Sequence, residues 1–217
     1  AKKAIQHARA ALGQRPAKQV VFVAAAQRSG NTMMMNVLDR SLETDVLFES
    51  DQRAYENFQL RPVPALRPVI SVSSGGSVVL KALCELQELR QLLDRFHPAK
   101  AIWMVRDYRD VVNSHLALWT GMPESIRKIA TDREAAGWRG RGMSDRTHRI
   151  VRRAYHPQLS NASACALFWY FRNRTFFEQG LERDPRVMPV RYEALVSRPE
   201  REFARLFDFL DLSYSPR

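Results

Sequence analysis

Residues 20–25, Val-Val-Phe-Val-Ala-Ala, are apolar with no polar alternation. That pattern predicts a parallel strand buried on both faces. After Gly30 the period changes: Met34, Leu38 and Leu42 recur every fourth residue and predict a helix with one buried stripe. Residues 59–76 carry three prolines and a glycine pair and read as loop. A short strand is expected over 77–81 and a buried strand over 101–105, with a helix between them. That helix, 82–97, would bury Leu83, Leu86, Leu89, Leu93 and Phe96 and stop at Pro98. Further helices are expected over 109–119 and 163–181, and a fourth strand over 186–190. Ser197, Pro199 and Glu200 compose a capping box for a last helix burying Phe203, Leu206, Phe207 and Leu210. Residues 1–13 read as a short basic helix, and 120–163 as an irregular basic insertion or lid. Strands alternating with helices predict an α/β fold, a single domain over 1–217 with a mostly parallel sheet flanked by helices. Ligands of such sheets gather beyond the carboxyl ends of the strands.

Composition changes this picture little and charge changes it more. The chain has 217 residues, 45% hydrophobic and 26% charged, enough apolar content for a packed core. Its 34 basic and 23 acidic residues leave a net charge of +11, with arginine dense over 132–155. Such a balance suits an anionic ligand, a membrane surface or nucleic acid, or a merely solvated basic face. No apolar stretch reaches transmembrane length and no signal-peptide pattern opens the sequence. A cytoplasmic location is therefore the expectation, with an anchor or stem outside this sequence left open. Cys84 and Cys165 read as small core residues, and the five histidines show no ligand spacing, so no metal is expected.

The candidate chemistry lies at two strand ends. Gln27-Arg28-Ser29-Gly30-Asn31-Thr32 joins the first strand to the first helix, which places backbone N–H groups at a helix N-terminus, a ready anion site. The nucleoside-triphosphate loop has glycine and lysine where this chain has Ala25 and Asn31, which argues against ATP or GTP hydrolysis. A strand–turn–helix also needs no ligand, so the loop alone is a weak signal. In Val-Arg-Asp-Tyr-Arg-Asp-Val-Val-Asn-Ser (105–114), Arg106 ends a strand and Ser114 lies about two helical turns on, so both can reach one phosphate. Helix capping by Asp107 or Asp110 is compatible with that.

These two segments resemble the 5′-phosphosulfate loop and the 3′-phosphate motif of sulfotransferases that use 3′-phosphoadenosine-5′-phosphosulfate (PAPS). The likeness covers roughly residues 18–212, in order: loop, acidic residue, lysine strand, Arg-x₇-Ser helix, and Arg-Tyr-Glu-Ala-Leu from 191. It implies a P-loop-type nucleotide-binding domain. It implies transfer of a sulfuryl group to a hydroxyl or amine acceptor by in-line displacement, leaving 3′,5′-adenosine bisphosphate and needing no metal. By this resemblance Arg28, Ser29, Gly30, Asn31, Thr32 and Met33 would hold the 5′ end, and Arg106 and Ser114 the 3′-phosphate. Tyr192 would meet the adenine. Glu49 resembles the catalytic glutamate of tyrosylprotein and bacterial sulfotransferases and would be the general base, with Asp51 as fallback. Lys81 resembles the family lysine that stabilises the leaving group, with Arg28 beside it. Family members continue into a basic glycine-containing loop that this sequence does not show; either the basic segment 132–155 serves instead or that loop lies outside the given sequence.

Two other classes compete. A small-molecule or nucleotide kinase shares the sheet and loop but requires the missing lysine. A nucleic-acid module would need exposed aromatics among its cations, whereas Trp169, Tyr170 and Phe171 read as helix core. Partners are therefore a small-molecule, glycan, lipid or peptide acceptor rather than nucleic acid. The acceptor pocket is expected in 50–76 and 120–163, since such pockets lie in variable loops. Oligomeric state is not legible.

Overall fold

The computed structural model describes residues 2, 4–6 and 18–215. Five parallel strands form one sheet: β1 (Gln19–Ala25), β2 (Thr44–Leu47), β5 (Ser77–Ala82), β6 (Ala99–Val105) and β7 (Val187–Arg191), in the spatial order β2-β5-β1-β6-β7. A separate two-residue hairpin, β3 (Tyr55–Glu56) with β4 (Gln59–Leu60), lies between β2 and β5 in sequence. The α/β expectation holds, with one more sheet strand than the pattern gave. β2 is only four residues long and half polar, Thr-Asp-Val-Leu, so it carries little hydrophobic signal.

The helices are α1 (Asn31–Asp39), α2 (Val63–Val72), α3 (Leu89–Arg95), α4 (Tyr108–Leu116), α5 (Met122–Thr131), α6 (Asp145–Ala154), α7 (Asn161–Glu178), α8 (Tyr192–Ser197) and α9 (Pro199–Phe209). Short 3-10 turns sit at Leu86–Glu88, Gly137–Arg139 and Leu181–Arg183. Consecutive β1 residues feed opposite cores. Phe22 and Ala24 face one cluster with Leu80, Trp103 and Phe176, while Val21, Val23 and Ala25 face another with Met34, Met104 and Leu206. A third core, centred on Ile126, Ile129, Val151, Cys165 and Phe168, joins α4 to α5, α6 and α7.

Several sequence expectations need correction. Residues 59–76 are not a loop. β4 and α2 occupy most of the segment, because Pro64 falls in the first turn of α2 where no N–H is needed, and Leu66 and Ile70 bury one side even with Pro68 inside. The helix placed over 82–97 starts only at Leu89, because β5 runs on through Ala82 and a turn follows. Leu42 lies beyond the end of α1 and is exposed, so the third member of that stripe is an accident of spacing. The segment 120–163 is mostly helical, since α5 and α6 are amphipathic and pack into the third core. Ser197 does not cap α9; its hydroxyl donates to the Ala194 carbonyl and Arg198 holds the cap position. Tyr170 is partly exposed, bonded to Arg174, because the helix turns it away from Phe171. Residues 2 and 4–6 are helical, and the rest of the basic helix expected over 1–13 lies outside the described residues.

Candidate active site

The sheet register sets the geometry. Ala25 of β1 pairs with Met104 of β6, so the turn after β1 and Arg106 emerge side by side. Leu47 of β2 pairs with Leu80 of β5, which sets Glu49 beside Lys81. Tyr192 follows directly on β7. With strands about 4.8 Å apart, the five carboxyl ends make a row roughly 19 Å long. Along it stand Glu49, Lys81, the 26–31 turn, Arg106 and Tyr192. The two anion sites read from the sequence are thus neighbours on adjacent strands.

The turn is held open by backbone conformation. Gly30 sits at φ +93°, where a side chain is disfavoured, and a Cβ there would lie 2.5 Å from Cδ2 of Tyr192. Arg28 is also left-handed, at φ +68°, a conformation uncommon outside glycine. That turn aims its side chain across to α4, where Nε donates to Ser114 Oγ at 2.8 Å. Arg106 lies over the Tyr192 ring, its guanidinium carbon 4.5 Å from the ring centre, with Asp110 at 3.6 Å. Arg28, Arg106, Ser114, Tyr192 and Gly30 therefore form one contact network. α1 opens with no side-chain cap and no acidic residue in its first turn, so its first N–H groups have no side-chain acceptor.

Unpartnered polar atoms point the same way. Among the described residues ten buried side-chain polar atoms lack a hydrogen-bond partner. Five of them belong to Gln27, Ser29, Asn31, Arg106 and His115, all at or against this turn. A buried polar atom without a partner is costly; of the five, Ser29 Oγ, Asn31 Nδ2 and Arg106 Nε can donate to a ligand oxygen, whereas Gln27 Oε1 can only accept. Ser29 Oγ and Asn31 Nδ2 flank Gly30, and Asn31 keeps a donor where the triphosphate loop has its lysine. Met33 is half-buried against the second core, so toward a ligand it can offer only its backbone N–H.

The second half of the site is an ion pair. Lys81 Nζ lies 2.6 Å from Glu49 Oε2 and 3.4 Å from Thr32 Oγ1. Lys81 is 8% exposed, and the hydroxyl of Tyr55 from the hairpin accepts from the Lys81 N–H at 2.6 Å and donates to the Lys81 carbonyl at 3.4 Å. Burial raises the Tyr55 phenol well above its usual range, so it stays neutral. Asp51, the fallback base, forms a two-pronged pair with Arg53 at 2.9 and 2.6 Å. Asp107 caps α4, accepting from the Arg109 N–H, and its carboxyl is held at about 2 by hydrogen bonds from Arg109. Of the segment 132–155, Arg133 pairs with Asp145 and Arg141 with Glu88, both away from the turn.

Four contributors were missed in the sequence. Tyr55 supports Lys81 from a hairpin that gave no strand signal. Glu193 accepts from the Asp107 N–H at 2.8 Å and ties α8 to the start of α4. Trp169 donates to the Arg106 carbonyl at 3.0 Å. His115 is buried against Gln27 and Trp119, and burial lowers its pKa. Only Glu193, beside Tyr192, carried a usable sequence signal. Among the described residues no group of three or more His, Cys, Asp or Glu could hold a metal ion.

Known proteins bear on this arrangement. The family model described as "Sulfotransferase domain" matches residues 18–217. The sulfotransferase domain from the curacin biosynthetic pathway has a similar fold, at 15% identity and TM-score 0.57, covering 93% of this chain and 76% of that one. A sulfotransferase from Alicyclobacillus acidocaldarius matches at 14% identity and TM-score 0.56, covering 94% and 84%. A mouse sulfotransferase complexed with PAP matches at 12% identity and TM-score 0.52, covering 91% and 60%. No curated protein sequence matches this chain. With the family model spanning nearly all of it, and the loop, the lysine strand and the arginine–serine helix meeting in one crevice, this chain belongs to the sulfotransferase family.

Proposed function

We propose that the chain transfers a sulfuryl group from PAPS to a hydroxyl or amine acceptor, leaving 3′,5′-adenosine bisphosphate. The observation that carries this is the contact of the 26–31 turn with the Arg106–Ser114 pair, because one nucleotide phosphorylated at both ends can then bridge them. Arg28 donating to Ser114 at 2.8 Å is the closest link. The PAP complex of the mouse relative supports a donor of this type.

The residues fit that donor. Backbone N–H groups of Gly30, Asn31, Thr32 and Met33, with the side chains of Arg28, Ser29 and Thr32, would hold the 5′ end. Arg106 and Ser114 would hold the 3′-phosphate, and Tyr192, already stacked on Arg106, would border the adenine. When bound, the donor supplies an activated sulfuryl group on its 5′-phosphate. Glu49 would then take the proton of the attacking hydroxyl or amine, being the carboxylate paired with Lys81, whose Nζ also lies 3.4 Å from Thr32 Oγ1. Lys81, 2.6 Å from it, would stabilise the oxygen on which charge grows as the sulfur bond breaks, together with Arg28. Positioning and electrostatics carry most of such a transfer, as in phosphoryl transfer. We take residues 1–217 to act as one domain, with the acceptor pocket formed by 50–76 and 120–163.

Thermal unfolding with added adenosine bisphosphate tests this reading. Wild type should be stabilised, by about 2.7 kcal/mol at a hundredfold excess over Kd, and Arg106→Ala should lose most of that. No stabilisation of the wild type, or an equal one in the variant, contradicts the assignment.

A further inference from the structure

One end of the helical layer has an unusual composition. Between Asp110 and Glu124 there is no carboxylate, and none between Asp145 and Glu178. These acid-free stretches meet in space. Asn161, first residue of α7, accepts from the Met122 N–H at 3.2 Å and donates to the Trp119 carbonyl at 2.8 Å. α6 runs up toward the same end, its Val151 packed with Ala164 and Cys165, and residues 155–160 lead from it into α7. The segment after α4 is thus brought together with the last turn of α6.

Both classes of side chain there are exposed to solvent. Leu116, Leu118 and Trp119 are 39%, 56% and 44% exposed, in a run where every residue from 116 to 121 is exposed. Arg149, Arg152 and Arg153 are exposed, line a shallow groove, and have no ion-pair partner among the described residues. Arg146, one turn earlier, is alike. The other arginines of the layer contrast with these: Arg127 pairs with Glu124 and Arg174 with Glu178.

We propose that this end of the helical layer docks on an anionic lipid surface. Leu116, Leu118 and Trp119 would enter the headgroup boundary, and the α6 arginines would meet the negative headgroups. Aliphatic side chains and a tryptophan at the boundary gain from lipid burial, and arginines beside them gain from anionic lipid. A polyanion in water, glycan or nucleic acid, would use the arginines and leave the two leucines unburied. The docked segment starts two residues after Ser114, so a surface-bound chain would hold its crevice near the lipid. The proposal does not depend on the sulfuryl donor.

Co-sedimentation of the full chain with phosphatidylcholine vesicles, with and without about one-third phosphatidylserine, tests it. Wild type should bind the anionic vesicles about tenfold or more tightly than the neutral ones, less so as salt rises. Leu116→Ser with Leu118→Ser should weaken that binding about fivefold or more, as should Arg152→Gln with Arg153→Gln. Both variants should keep the wild-type unfolding midpoint, which separates lost docking from lost folding. A wild type that does not sediment with anionic vesicles overturns the proposal. So does binding that ignores the leucine pair, above all if heparin or an oligonucleotide then captures the chain through the arginines alone.

Discussion

The chain concentrates positive charge in two places that are built differently. At the crevice, Arg28, Arg106 and Lys81 come from three adjacent strand ends, and each is engaged: by Ser114, by Tyr192 and Asp110, and by Glu49. On α6, Arg146, Arg149, Arg152 and Arg153 project from one helix with no ion-pair partner among the described residues. The first set is fixed in place by sheet register, a left-handed turn and hydrogen bonds. The second is a field of exposed side chains on long stems. Fixed cations can select the position of one phosphate or sulfate oxygen; a field attracts negative surface with little geometric demand. Charge count alone, +11 for the whole chain, does not separate the two roles.

Breaking the crevice around the fixed set should have the largest effects. Glu49→Gln is expected to reduce turnover by about 10²–10⁴-fold, the range for a lost general base, while adenosine bisphosphate binding stays near wild type. Turnover close to wild type in single-turnover assays would remove Glu49 from the mechanism. Gly30→Ala should come next. Its φ of +93° and the 2.5 Å approach to Tyr192 force either the turn or the ring to move, at a cost of about 1–2 kcal/mol for the backbone alone, with nucleotide binding weakened and visible by calorimetry.

A smaller effect concerns the support beneath Lys81. Glu85 is buried, accepts from the Leu60 N–H at 2.8 Å, and burial lifts its carboxyl to about 7. Between about 4.5 and 7 the folded chain keeps a proton that the unfolded chain releases, so stability falls as pH rises through that window and then levels. Glu85→Gln keeps an acceptor for Leu60 and removes the titration. It should gain on the order of 2–3 kcal/mol at pH 8 relative to pH 4.5, as one pKa unit corresponds to about 1.4 kcal/mol. Chemical denaturation at the two pH values measures the difference, and an unchanged slope would show that Glu85 does not titrate there. The least effect belongs to the field: Arg149→Gln with Arg152→Gln should alter nucleotide affinity by less than about twofold, since exposed charges beyond a Debye length are screened. A larger loss would place α6 in the donor site and erase the contrast drawn above.

The crevice was legible because its parts are local. A strand, a turn with glycine and a helix start are adjacent in sequence, and Arg106 to Ser114 is one helix. What joins them is register, Ala25 beside Met104, which no local pattern records. β2 was missed because four half-polar residues at a sheet edge look like loop, and Tyr55 because its role depends on a hairpin whose strands are two residues long. Residues 120–163 misled because charge hid amphipathicity. Ile126, Ile129 and Val151 bury one side of helices that are otherwise basic, and their core is completed only by α7 and α4. Arg172 shows the limit most clearly: 2% exposed, it donates to the Trp138 and Leu83 carbonyls and to Gln87, a buried junction among three segments far apart in sequence.

The central claim is that one nucleotide is gripped at both ends, its 5′ side by the turn around Gly30 and its 3′ side by Arg106 and Ser114. Calorimetric titration of 3′,5′-adenosine bisphosphate and of adenosine 5′-monophosphate, into wild type and Arg106→Ala, measures it directly. Wild type should prefer the bisphosphate by about tenfold or more, the worth of one or two charged hydrogen bonds, and the variant should bind both nucleotides alike with the affinity wild type shows for the monophosphate. A variant that still prefers the bisphosphate by the wild-type factor would contradict the account.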